Sequence, residues 1–417
     1  MSNTENMLTM SNNVLLCIEA ENNLNPVQKE ELSRIQNTFY GISFTDLDKF
    51  STYALGTSTV VYLCGYIGHI MENIKFPHGT KVNVVQEYSY SYSVTDPYEF
   101  VKVGMIPLNV NNMGVYFRDF FDPSKDHFNT IQSAHTFQTL TESNKPSNAF
   151  RTGVYMTRVD ETEDKSEVKF NLLRCSSNFD GPTNNFSEID NDILSRVNSV
   201  AESSFTEKSE LNHVLAQLYT NTRKEGVDKK AKIREHSDKT KDMPRNGLMA
   251  FCTFYDGFNG NSFNIDQVGR SNHDMFDHVY KKTSVLTRMR FKLKSDVNDT
   301  TLIKKFDITL YPNSVFIMGL GSNRLYTHEI IPSTLSVNNI PTRLGYVIRC
   351  SNTTASFKNN QTYIVRNGEY VKLEEPDTEG VEKLKKTYSE ENRVSNLITY
   401  DNFDFSLNRG DYERPLC

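Results

Sequence analysis

The stretch Ile233-Arg-Glu-His236-Ser-Asp238-Lys-Thr-Lys-Asp242 decides how this chain is read. His236 and Asp238 stand two residues apart. On a β-strand, residues i and i+2 point to the same face, so both side chains can reach one metal ion. Such a pair leaves a third ligand to come from elsewhere. On its own it fits a polar surface turn just as well, because a long chain holds H-x-D pairs by chance.

Downstream lies Tyr311-Pro-Asn-Ser-Val-Phe-Ile-Met-Gly-Leu-Gly-Ser-Asn-Arg-Leu-Tyr-Thr-His328, an apolar, strand-like run that passes through glycines to a histidine. Two histidines and one carboxylate on one face of an octahedral iron leave three positions open, enough for a bidentate 2-oxo acid and O2. Then come Arg343 and Arg349 in Pro341-Thr-Arg-Leu-Gly-Tyr-Val-Ile-Arg349. Their even spacing puts both guanidinium groups on one face of a strand. Arginine offers a planar fork to a carboxylate, so the pair can grip a dicarboxylate. A face packed only into a core does not carry two arginines, because unpaired buried charge is costly.

Together these strings resemble the AlkB-like branch of the iron(II)/2-oxoglutarate dioxygenases. That family carries H-x-D, a distant His after an S-R-L-F-Y-H-like string, and then R-x5-R. The corresponding strings here are His236-Ser-Asp238-Lys239, Arg324-Leu-Tyr-Thr-His328, and Arg343 to Arg349. Upstream, where the family has N-x-x-L-x-N-x-Y, stands Asn212-His-Val-Leu215-Ala-Gln217-Leu-Tyr219. Four strings in family order across 212–349 are jointly more specific than any one alone.

The resemblance implies that His236, Asp238 and His328 bind Fe(II) and, with Arg349, form the catalytic set. It implies that Arg343 pairs with the distal carboxylate of 2-oxoglutarate, and that Tyr219 and Gln217 contact the same co-substrate. It further implies a mainly β chain with flanking helices (α+β), built on a double-stranded β-helix, or jelly roll, with an N-terminal extension. The implied reaction is oxidative demethylation or hydroxylation of a nucleobase in DNA or RNA, with 2-oxoglutarate and O2 as co-substrates. Three positions depart from the family pattern. Gln217 replaces an Asn, Gly345 stands where an Asn is frequent, and Thr240 stands where some members carry an acidic residue that helps read a methylated base. The departure at Thr240 keeps a second substrate class open: a protein side chain or a small molecule.

Composition bears on the same choice. The formal charge is −6 and the pI about 5.9, a field that does not attract polyanions. A methylated nucleic acid would need a local basic patch. Two stretches offer one: 223–234, with Arg223, Lys224, Lys229, Lys230 and Lys232, and 281–294, with Lys282, Arg288, Arg290 and Lys292. Each also reads as a solvated face. Cys17, Cys64, Cys175, Cys252, Cys350 and Cys417 form no C-x-x-C pair, which suits a reducing compartment. The N-terminus has no basic, apolar leader. The apolar run 58–71 is broken by Gly65 and Gly68 and is too short to span a bilayer. A soluble intracellular protein, of cytoplasm or nucleus and with no membrane partner, is expected.

Along the chain the sequence divides into 1–145 of unassigned role, a dioxygenase domain over 146–366, and an acidic extension over 367–417. Helices are expected at 26–37, 190–203 and 379–391. Strands are expected at 81–94, 168–173, 247–254, 284–293, 306–310, 314–318 and 345–349. The extension reads as surface without chemistry of its own. A second cluster, His273, Asp274, Asp277 and His278, reads as a structural or covering loop. His213, next to the Tyr219 string, reads either as a packing residue or as a support behind the site residues, and His69, His78, His127 and His135 read as structural. Phe170, Phe179 and Phe186 suit either core packing or a stacking lid, and Tyr88, Tyr90 and Tyr92 one face of a strand.

Overall fold

Strand-forming sequence dominates, and the chain folds accordingly into mainly antiparallel sheets with a few helices. The computed structural model describes residues 11–18, 24–67, 74–88, 98–142, 145–146, 151–173, 178–179, 181–206, 209–259, 262–263 and 284–417. The chain forms two compact units. One comprises Met1–Phe120, Arg196–Lys208 and Val315–Ile317; the other comprises Phe121–Ser195, Ser209–Ser314 and Met318–Cys417.

The first unit departs from the antiparallel pattern. Its strands β1 (Asn13–Ile18), β2 (Ile42–Phe44), β3 (Val60–Gly65), β4 (Lys81–Glu87) and β5 (Tyr98–Phe100) are all parallel, in the order β2-β1-β3-β4-β5. A parallel sheet covered on both faces needs strands that are apolar throughout, and β1 supplies Val14, Leu15, Leu16 and Cys17, all buried. Leu15, Cys17, Tyr62 and Cys64 pack with Leu32 and Ile35 of helix α1 (Pro26–Thr38). Val14, Leu16, Val61 and Leu63 pack on the other face with Phe50 of helix α2 (Leu47–Ser51). Residues 60–65 of the apolar run 58–71 form β3, and residues 68–71 lie outside the described residues. Pro26 and the capping box of Asn25 with Gln28 start α1. Gly65 has φ +97°, and a Cβ there would meet the Ile18 carbonyl oxygen at 2.0 Å. The strand expected over 81–94 ends at Glu87, and Tyr90 and Tyr92 lie outside the described residues.

The second unit is mainly antiparallel, with Asn184–Asn185 pairing parallel to Arg151–Thr157. Its main sheet runs through Arg151–Thr157, His213–Tyr219, Arg343–Arg349 and Leu248–Tyr255 in that order. Both strands flanking Arg343–Arg349 are buried along their whole length. A smaller sheet runs Ile233–His236, Tyr326–Ile331, Arg288–Leu293, Lys305–Thr309. The two sheets meet at side chains from each: Phe251 of the first lies edge-on to His328 of the second, ring centres 5.6 Å apart. A third sheet contains Thr353–Lys358, Gln361–Arg366 and Glu369–Lys372. Two of its hairpins turn on Asn359-Asn360 and Asn367-Gly368, all at positive φ. Both pairs suit the two-residue turns whose twist matches the strands.

Helices form at Glu188–Ser204 and Thr378–Arg393, where the sequence places them. Phe170 and Phe179 are buried in packed cores, which removes them from a stacking lid, while Phe186 is half-buried. His135 does have a carboxylate partner that spacing alone does not reveal. Its Nε2 lies 2.6 Å from Asp190 Oδ2, and Tyr346 donates to the other oxygen at 2.8 Å. His127 stacks on Phe254. The cluster from His273 to His278, with His69, lies outside the described residues.

Candidate metal centre

The strand Ile233–His236 pairs with Tyr326–Ile331, beginning with Ile233 opposite Ile330. A register irregularity then brings His236 directly opposite His328. Their rings stand 4.5 Å apart, centre to centre. The strand stops at His236, so the backbone of Ser237 and Asp238 leaves the ladder and needs other partners. Side-chain amides supply them. Asn323 Oδ1 accepts from the Asp238 N–H at 2.9 Å, and Asn323 Nδ2 donates to the Asp238 carbonyl at 2.9 Å. Asn392 Oδ1 accepts from the Ser237 N–H at 2.9 Å.

This turn swings the Asp238 carboxylate towards the two rings. One ligand atom from each of His236, Asp238 and His328 lies within 4.8 Å of the other two, a group that can hold a metal ion. The Nδ1 of His236 donates to the Arg234 carbonyl at 2.8 Å, and its Nε2 lies 3.5 Å from Asp238 Oδ1. Burial, followed by the neighbouring His236, pushes His328 down to about 3, so its ring stays neutral. Its Nδ1 has no hydrogen-bond partner among the described residues. Burial alone would raise the Asp238 carboxyl, but the Arg349 guanidinium and the two histidines hold it well below the usual carboxylate range. The centre therefore presents the neutral imidazole of His328 and an ionised Asp238 carboxylate beside the His236 ring.

Arg349 lies beside this group. Its Nε and Nη2 donate to Asp238 Oδ2 at 3.2 and 3.0 Å. Arg343, on the same strand, belongs to a different cluster. It is opposite Tyr219 on one side and Tyr255 on the other, and its guanidinium lies 3.8 Å from the centre of the Tyr219 ring. Arg343 is only 4% exposed, yet its Nε and Nη2 have no acceptor among the described residues. Gln217 stands next to Tyr219 on the same face. Its Oε1 accepts from the Tyr219 hydroxyl at 3.2 Å, while its Nε2 is unpartnered. Gly345, opposite Gln217, is the reason the guanidinium fits: a Cβ at 345 would lie 2.8 Å from Arg343 Nη1 and 3.1 Å from Tyr219 Cε2. Three buried donors without acceptors among the described residues are suited to meet an anion.

Sequence reasoning missed several residues that shape this region. Asn323 lies in the string before His328, but nothing in that string marks an amide as a backbone clamp. Asn392 and Glu391 lie in the tail read as chemically idle. The tail's helix, Thr378–Arg393, instead docks on the H-x-D turn. Asn392 also accepts from Lys239 Nζ at 2.6 Å, and Glu391, 4% exposed, accepts from the Thr240 N–H at 3.1 Å and from its hydroxyl. His213 is expected either to pack or to support the site residues. It is fully buried opposite Arg349, and burial, then Arg349, pushes it down to about 3.

Several cations of the basic stretches are engaged within the fold, while Lys229, Lys232 and Arg234 are exposed and Lys281 and Lys282 lie outside the described residues. Arg288 and Arg290 pair with Asp307 at 3.0 and 2.7 Å, and Lys292 pairs with Glu235 and Glu329. Arg223 lies 3.8 Å from Asp228, and Lys230 Nζ donates to the Ser333 and Leu335 carbonyls. Among the described residues, no helix is long and apolar enough to cross a membrane.

No family model matches the chain, and no curated protein matches it. Among solved structures it is similar to the structure of OsALKBH1, with 13% identity and a TM-score of 0.30, over 58% of this chain and 99% of that one. At that TM-score the likeness says nothing about activity.

Proposed function

We propose that this chain is an iron(II)- and 2-oxoglutarate-dependent oxygenase. One observation carries the reading: a buried Arg343 with two donors that have no acceptor among the described residues stands on the strand whose other arginine holds the carboxylate of a two-histidine, one-carboxylate group. An unpaired buried guanidinium destabilises a fold. Its retention makes sense where a ligand carboxylate completes it. The donor set fits iron in the same way. Two imidazoles and one ionised carboxylate on one side suit a divalent iron with open positions, and the Nδ1 of His328 has no hydrogen-bond partner among the described residues.

The chemistry supplied by bound iron(II), 2-oxoglutarate and O2 is hydroxylation of a C–H bond, with 2-oxoglutarate leaving as succinate and CO2. The chain's own residues orient and shield. His236 and Asp238 hold the metal from the turn and His328 from the neighbouring strand. Arg349 orients Asp238 by occupying Oδ2, which directs Oδ1 inward. Arg343 pairs with the distal carboxylate of 2-oxoglutarate, with Tyr219 and Gln217 beside it. Phe251 and Phe291, whose rings lie 5.6 and 5.8 Å from that of His328, exclude water on the inner side. The half-exposed His236 marks the open side. The two facing antiparallel sheets support a double-stranded β-helix core, read as residues 146–366 with the tail helix added to it.

For substrate, the family resemblance favours a nucleobase in methylated DNA or RNA. A specific observation favours the second reading, a protein side chain or small molecule: the cations at Arg288, Arg290, Lys292 and Lys230 already have partners within the fold. The test of the class is iron-dependent conversion of 2-oxoglutarate to succinate, expected in the wild type and abolished in His236→Ala. No turnover and no 2-oxoglutarate binding by the iron-loaded protein would sink the oxygenase reading. Mass spectrometry of methylated oligonucleotides and of peptides after incubation separates the substrate classes.

A further inference from the structure

We propose that Asn392, on the last turn of the Thr378–Arg393 helix, is a positioning residue for the metal turn, so that metal affinity and docking of this helix are coupled. The inference rests on the metal-site reading above and adds a part of the chain to it.

The argument starts from the ladder. Pairing with Tyr326–Ile331 ends at His236, and the next two N–H groups must find acceptors outside a sheet. Ser237 lies between the two ligands, so the direction of its N–H fixes the peptide planes on which both ligand side chains depend. That N–H is taken by Asn392 Oδ1 at 2.9 Å, and the Ser237 hydroxyl donates to the Tyr326 carbonyl at 3.3 Å. The same Asn392 oxygen accepts from Lys239 Nζ at 2.6 Å, on the far side of Asp238. One amide oxygen thus clamps the residues on either side of a ligand.

The helix is held there by its carboxyl end. Lys239 Nζ donates to the Tyr388 carbonyl at 3.0 Å, and Lys294 Nζ to the carbonyls of Glu391 at 2.7 Å and Val394 at 3.0 Å. Two ammonium groups thus satisfy terminal carbonyls where the helix dipole favours positive charge. Glu391 adds its bonds to Thr240 and accepts from the Tyr400 hydroxyl. Partners that orient a ligand typically change metal affinity by roughly 10- to 100-fold when removed. The effect is reciprocal: if docking favours the metal, the metal favours docking.

The experiment uses the full chain and Co(II) as the probe, with affinity read by titration calorimetry and site geometry by the visible absorption of the bound ion. Asn392→Ala is expected to weaken Co(II) binding about tenfold and to alter that absorption. Asn392→Asp, which keeps an oxygen in place, restores both. Amide exchange in residues 388–394 is expected to slow when Co(II) binds the wild type, and not in Asn392→Ala. Equal affinity and spectrum in the wild type and Asn392→Ala overturn the positioning role while leaving the metal site standing. A loss of affinity that Asn392→Asp does not restore also overturns it. A wild type that binds no Co(II) removes the metal site itself, and this inference with it. Half-buried Asn392 tolerates truncation; if Asn392→Ala nevertheless fails to fold, the wild-type exchange measurement alone decides, and unchanged exchange counts against the proposal.

Discussion

Arg349 holds one oxygen of Asp238, with Nε at 3.2 Å and Nη2 at 3.0 Å from Oδ2, while the other oxygen, Oδ1, lies 3.5 Å from His236 Nε2. The carboxylate is divided between an organic cation and the place of an inorganic one. Removing it takes from the buried Arg349 the carboxylate that its Nε and Nη2 share. Asp238→Ala is therefore expected to destabilise the metal-free protein by about 3 kcal/mol as well as to abolish Co(II) binding. Urea unfolding of the two metal-free proteins measures this, and equal midpoints would refute the pairing.

Arg343 has the opposite balance. Its buried donors have no acceptor among the described residues, so Arg343→Leu removes an uncompensated charge. The variant is expected to be at least as stable as the wild type in the absence of ligand, while requiring at least about tenfold more 2-oxoglutarate. Co(II) affinity should stay unchanged. A parallel loss of Co(II) and 2-oxoglutarate binding would argue against the division of labour between the two arginines.

Gly345 makes room for that guanidinium. Gly345→Ala places a methyl group 2.8 Å from Arg343 Nη1, and the arginine must shift. Weaker 2-oxoglutarate binding with undiminished Co(II) affinity is the expected result, measured by calorimetry. Gly345→Asn, the residue frequent in the resembling family, should be worse here because Arg343 occupies the space it would need.

His213 predicts a pH response. Its folded value, about 3, lies below the ordinary value of 6.5. The unfolded chain therefore takes up a proton on this residue at a higher pH than the folded chain does. The stability tied to neutral His213 is fully present above about pH 6.5 and is lost as pH falls towards 3. His213→Gln is expected to flatten this part of the stability–pH curve. An unchanged slope between pH 6 and 4 would place the acid sensitivity elsewhere.

The ion pairs on the smaller sheet can be tested by releasing a cation. Glu235→Gln with Glu329→Gln frees Lys292. If those carboxylates keep polyanions away, the double variant should bind single-stranded oligonucleotides more tightly than the wild type, with a salt dependence steeper by about one counterion. Filter binding at two salt concentrations is sufficient. Tight wild-type binding would favour the nucleobase reading instead.

What the sequence could convey depended on distance along the chain. His236 and Asp238 sit two apart, and strand periodicity is enough to put them on one face. Arg343 and Arg349 are legible for the same reason, although not their separate tasks: spacing says that they share a face, not that one meets Asp238 and the other Tyr219. Helix Pro26–Thr38 is legible because Asn25, Pro26 and Gln28 form a local start signal. The parallel sheet of the first unit was not legible, because its strands are short apolar runs that periodicity cannot assign to one partner or another. Asn392 and Glu391 were hidden for the plainest reason. They are polar residues on an acidic helix, and only the folded chain brings them to the turn.

That separation also sets an order of events. Ser237 and Asn392 are 155 positions apart, and His328 lies between them in the chain. Closing so long a loop carries an entropic cost that earlier, more local pairings must first offset. As the chain emerges from the ribosome, His236 and Asp238 are exposed well before His328, and His328 before the amide that clamps the turn. The centre is thus among the last parts to mature. A nascent or C-terminally clipped chain would carry all three ligands and still hold its metal loosely.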